Sequence, residues 1–180
     1  MMQGEIEDKL ASRGKAFAVY VSLLLISFGW LALIVAAPML KSENHHLSSF
    51  VIYRSLSAVC HQMPERSFYL HGFPLGVCAR CTGIYAGFVI GLTLYPFARS
   101  LRRIAMPERR WLILAAVPAL IDFGGGFIGL FTNTFFSRAA TGGLLGAVAA
   151  FYILPGFVST FRDFSMEIFL WRKLITKSRL

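Results

Sequence analysis

The chain has 180 residues, 56% hydrophobic and 15% charged, with a mean hydropathy of +0.62 and a formal net charge of +9. A soluble domain carries nearer a quarter of charged residues, so an ordinary water-soluble fold is excluded. The positive charge is explained by orientation in a bilayer and by attraction to anionic lipid, so it requires no nucleic acid.

After a basic N-terminal tail, residues 16–40 ("AFAVYVSLLLISFGWLALIVAAPML") form a run of 25 without a charge. About 20 apolar residues cross roughly 30 Å of hydrocarbon. The run exceeds the apolar core of about 7–15 residues found in a signal peptide, so it is expected to be a first span. A loop over residues 41–81 follows and holds all three cysteines, in "CHQMPERSF" and "VCARCTGIYAG". Within it Ser48 or Ser49 is expected to cap a short amphipathic helix over about 50–61, with Phe50, Tyr53, Ser57 and Cys60 on one face. "SFYLHGFPLGVC" holds two glycines and a proline and reads as extended chain and turns.

Thr82 is expected to cap a second span over 82–98, which leaves Cys78 and Cys81 on a turn above its N-terminus. A third span is expected over 111–132, interrupted by Asp122, and a fourth, free of charge, over 139–161. The remaining "FSMEIFLWRKLITKSRL" mixes large apolar and basic residues, as does a helix lying on a membrane surface, here over about 164–180. Gly83, Gly87 and Gly91 recur every four residues, as do Gly142, Gly146 and Ala150. Small residues at that interval let helix backbones approach, so spans two and four are expected to pack together.

Lys and Arg number thirteen in the two tails and the 99–110 connection, against five in the cysteine loop and beside the fourth span. Positive segments stay cytoplasmic. The expected fold is therefore an all-α, polytopic helix bundle of about four spans in the cell membrane. It is a single domain with both ends inside and the cysteine loop outside.

Thiols in that compartment are normally paired or bound to metal, and three cannot all pair within one chain. Arg66, Arg80 and a helix N-terminus favour thiolate over thiol. Cys60, Cys78 and Cys81 with His61 or His71 would supply three sulfurs and one imidazole, a zinc-type donor set. The expected cofactor is zinc or another divalent transition metal. A Cys78–Cys81 redox pair and buried structural thiols remain alternatives.

Asp122, deep in an apolar span, requires a partner. Arg138, Arg80 and Arg66 are the candidates, which implies a polar pocket beneath the cysteine loop. Pro118 and Gly124, Gly125 and Gly126 are expected to loosen the helix there.

The motifs "CHQMPERSF", "VCARCTGIYAGF" and "N....R..TG" (Asn133, Arg138, Thr141, Gly142), with Asp122 between them, resemble a family of prokaryotic membrane proteins. It is known as domain of unknown function 2085, and the resemblance covers roughly residues 48–150. It implies a multi-span architecture and adds Asn133 to the pocket, but it brings no activity.

No catalytic triad, phosphate-cradling loop or dinucleotide fingerprint is present in the sequence. The chain therefore reads as a metal-binding membrane protein with a Cys/His cluster over an Asp/Arg pocket. Thiol–disulfide exchange is one alternative. Another is a small ion or solute transporter, or an accessory subunit of a membrane complex. The partners expected are lipid and a second copy or larger assembly.

Overall fold

A computed structural model describes the backbone of residues 2–101 and 105–177 and the side chains of residues 13–101 and 105–161. Helix α1 covers Met2–Ser42 and α2 covers His46–Leu56, followed by a 3-10 turn at Pro64–Arg66. Strands β1 (Tyr69–Leu70) and β2 (Phe73–Pro74) form an antiparallel hairpin. Helices α3 (Ala79–Ala98), α4 (Arg109–Phe127) and α5 (Phe135–Lys177) complete the chain. Four of these helices are long and apolar enough to cross a membrane, over Arg13–Ser42, Ala79–Ala98, Arg109–Phe127 and Phe135–Phe161. The architecture is an all-α membrane helix bundle carrying one small hairpin.

Helices α3 and α5 run parallel in the closest packing of the fold, as the glycine spacing implies. A Cβ added to Gly87 would lie 2.0 Å from the Gly143 carbonyl oxygen, and one on Gly83 would lie 2.1 Å from that of Ala139. Any side chain at these positions would force the backbones apart.

A proline inside α1 docks the cysteine loop onto that helix. Pro38 lies inside α1 and has no N–H to offer the carbonyl four residues earlier. That carbonyl, of Ile34, instead accepts from the Gly76 N–H at 3.1 Å. Gly76 is closely hemmed in, because an added Cβ would meet Leu56 Cδ1 at 2.4 Å. The hairpin before it turns through His71 (φ 50°) and Gly72 (φ 80°), the paired positive φ values of a tight two-residue connection.

Several boundaries differ from those expected. The short helix begins after His45 and ends at Leu56, so Phe50 is exposed and Cys60 lies beyond the helix. Ser49 is no cap: it is buried and donates to the Ala37 carbonyl at 2.8 Å. Cys78, not Thr82, is the N-cap of α3, and the Thr82 hydroxyl bonds back to the Cys78 carbonyl at 3.1 Å. Helix α4 stays regular through Pro118 and the three glycines and stops at Phe127, with Gly129 at φ 76° beyond it. Asp122 thus stands five residues before the helix end, about 7.5 Å along the axis, rather than near its middle. Helix α5 continues without a break to Lys177. How residues 164–180 meet a membrane surface lies outside the described side chains.

Candidate functional site

The first turn of α3 presents two chemistries in "CARC". Cys78 and Cys81 face a small core made by Ile34 of α1, Leu56 at the end of α2, Cys60 and Val77. The sulfurs of Cys60, Cys78 and Cys81 all lie within 4.8 Å of one another. Cys60 is buried and the other two are half-buried; none is in a disulfide.

Cys60 is fixed by the chain around it. Its sulfur accepts from the Cys78 N–H at 3.2 Å and from the Gln62 N–H at 3.4 Å. Gln62 has a positive φ of 50°, and its side-chain amide donates to the Tyr53 and Gly76 carbonyls at 2.9 and 2.7 Å. The Tyr53 hydroxyl in turn donates to the Pro74 carbonyl. This one glutamine ties the end of α2 to the strand leading into α3, and so brings the two cysteine fragments together. The Cys78 thiol is held down to about 5, chiefly because the Cys81 thiol donates a hydrogen bond to it, with a smaller contribution from Cys60.

The structure does not bring His61 to the sulfurs. Its ring is exposed, as are those of His71, His45 and His46, and no histidine nitrogen joins the cluster among the described residues.

Arg80, between the two cysteines, reaches the other way. Its Nη2 donates to Asp122 Oδ2, and its guanidinium stands 5.5 Å from the centre of the Phe123 ring. The Ser137 hydroxyl donates to the other Asp122 oxygen at 2.8 Å. Asn133 donates its side-chain amide to the Asp122 backbone carbonyl and occupies the space a Gly126 side chain would need. Asp122 is buried, at 6% exposure, and both its carboxylate oxygens are engaged. Arg66, Arg80, Arg138 and Asn133 line a small cavity beside this network, walled by Phe123, Gly126 and Phe127.

Sequence reasoning missed two of these residues. Gln62 could have been read from "CHQ", where a polar residue follows the cysteine fragment. Ser137 could have been read from the Thr134–Ser137 pair that opens α5, where the Ser137 N–H bonds the Thr134 hydroxyl at 3.0 Å.

Residues 60–152 match the profile of a family described as predicted membrane proteins (DUF2085). An uncharacterised protein of Methanocaldococcus jannaschii is 38% identical over 144 residues, covering 77% of this chain and 92% of the relative. Another from Methanothermobacter thermautotrophicus is 39% identical over 64 residues, 36% of this chain and 56% of the relative. No solved structure matches.

Proposed function

The chain belongs to the DUF2085 family of predicted membrane proteins, and we propose that its three cysteines hold a zinc-like divalent metal ion at one end of the helix bundle. The observation that carries this reading is the convergence of three sulfurs within 4.8 Å from two separated pieces of chain. Thiolates bound to zinc at about 2.3 Å in a tetrahedron lie roughly 3.8 Å apart. The cluster therefore needs only a small contraction to share one ion. Backbone N–H groups already aimed at the Cys60 sulfur fix its direction, as the outer shell of a metal site does.

Three protein sulfurs leave a fourth coordination position for water or an added ligand, the arrangement of a reactive metal rather than a closed structural one. His61 would need to turn inward from solvent to fill it. The excess of Lys and Arg at the opposite end of the bundle supports placing the cysteine end outside the cytoplasm.

Thiol–disulfide exchange between Cys78 and Cys81 is the second reading, favoured by the low position of the Cys78 thiol beside a proton-donating Cys81. The third sulfur favours the metal. Elemental analysis of the purified full chain distinguishes them. The metal reading expects about one equivalent of zinc-type ion per chain, lost in Cys60→Ser. Occupancy below about a tenth of an equivalent in the wild type rejects a three-sulfur centre. A mixed disulfide trapped by Cys81→Ser would then favour exchange.

A further inference from the structure

The arginine cavity carries more positive charge than its surroundings neutralise. Three guanidinium groups, of Arg66, Arg80 and Arg138, line it, and Asp122 is the one carboxylate paired with any of them among the described residues. Both oxygens of that carboxylate are already occupied, one by Arg80 and one by Ser137. Arg66 and Arg138 form no ion pair among the described residues. The Nε atoms of Arg80 and Arg138 are buried with no hydrogen-bond acceptor among the described residues. Buried donors that lack acceptors are costly and uncommon in folded proteins, and an acceptor-rich, negatively charged ligand would satisfy these.

We propose that the cavity binds a tetrahedral oxyanion of the phosphate type, either free or as the terminal phosphate of a lipid headgroup. Charge, donor geometry and size all favour it. Three arginines against one aspartate leave a surplus of two positive charges, which matches a dianion. Guanidinium groups present planar forks of N–H donors suited to an anion with several oxygens rather than to a single spherical ion. The volume open to the centres of water molecules is about 70 Å³. A single water needs about 10–15 Å³ by this measure, so a small polyatomic anion fits and a nucleotide does not.

The surroundings strengthen the attraction. Phe123 and Phe127 stack with ring centres 6.2 Å apart and wall the cavity, which lowers the local dielectric and lengthens the reach of each charge. Arg138 lies in the first turn of α5, where the helix dipole favours an anion. Arg66 stands on the exposed 3-10 turn at the mouth, where it can meet an arriving ligand.

This site rests on the arginines and not on the metal reading, although Arg80 joins the two through its place between Cys78 and Cys81. The test uses the full chain in phosphatidylcholine nanodiscs, with thermal unfolding followed as sodium phosphate is titrated against sodium chloride of equal ionic strength. A second set of nanodiscs contains phosphatidic acid. A saturable rise of the midpoint with phosphate is expected, absent with chloride, and at least a tenfold higher half-saturation concentration in Arg66→Gln and in Arg138→Gln, the loss of one charge-assisted contact. If only phosphatidic acid stabilises, and the same variants abolish the effect, the occupant is a lipid phosphate. The proposal is overturned if neither source stabilises beyond chloride, or if Arg66→Gln responds as the wild type does. Arg66 is exposed and outside the helices, so its variant folds even should Arg138→Gln not.

Discussion

Gln62 sets the distance between the two cysteine fragments. Its amide holds the Tyr53 and Gly76 carbonyls together, and its own N–H meets the Cys60 sulfur. Gln62→Ala removes the side-chain donor from the Gly76 carbonyl and unties it from the Tyr53 carbonyl, which keeps the Ser57 N–H at 2.9 Å; the loss costs about 1–3 kcal/mol. It is expected to lower both the thermal midpoint and the metal content of the purified protein. Unchanged metal content would show that the sulfurs converge without this clamp. Cys78 carries its own prediction. Its thiol is held down to about 5 by the Cys81 hydrogen bond, so the reactive thiolate is present above that pH and lost as pH falls through it. In metal-free protein, alkylation of Cys78 by iodoacetamide, followed by mass spectrometry, should be nearly flat between about pH 6 and 8, where an ordinary thiol near 8.5 speeds up about tenfold per unit. A tenfold rise per unit at Cys78 would refute the assignment. At this scale the sequence was most informative where chemistry was concentrated: every cysteine sits in one short stretch, and they do meet. It was least informative about His61. Adjacency to Cys60 says nothing of direction, and the positive φ at Gln62 belongs to a turn that leaves the imidazole in solvent.

Glycines in α3 and α5 decide how the functional end is built. Their contact extends from Gly83 against Ala139 to Gly91 against Ala147, and Gly142 makes room for the Arg80 carbonyl at the same seam. Gly87→Ala places a methyl 2.0 Å from the Gly143 oxygen, where backbone cannot yield without separating the helices. A loss of about 1–3 kcal/mol is expected from such overpacking, measured as a lower unfolding midpoint in detergent; an unaltered midpoint would mean the helices are not in backbone contact. This packing was legible because a four-residue interval of small side chains has a direct geometric meaning. The ends of elements were not. Helix α3 starts one turn earlier than its polar residue implies, because the Cys78 carbonyl already accepts from the Thr82 N–H at 2.9 Å. Helix α4 stops early because Gly129, at φ 76°, caps it, with the Leu130 N–H bonding back to the Gly125 carbonyl at 2.9 Å; Asn133 then folds back onto Asp122, a contact that no local pattern announces.

At the scale of the molecule, alternation of the four long helices puts the end of α1, the hairpin, the start of α3, the end of α4 and the start of α5 at one end of the bundle. The start of α1, the end of α3, the start of α4 and the far end of α5 fall at the other. Hydropathy and charge counts sufficed for this, since a bilayer demands long apolar helices. Which end faces outward is settled by labelling: in a cysteine-free background, Ser48→Cys, at an exposed position on α2, is expected to react with a membrane-impermeant maleimide in intact cells. Labelling only after lysis would reverse the orientation. The most direct test of the metal centre is X-ray absorption at the zinc edge of the purified full chain. Three sulfur neighbours at about 2.3 Å with one lighter donor are predicted, the sulfur shell diminishing in Cys60→Ser. A zinc shell of nitrogen and oxygen alone, or protein that takes up no zinc, would contradict it.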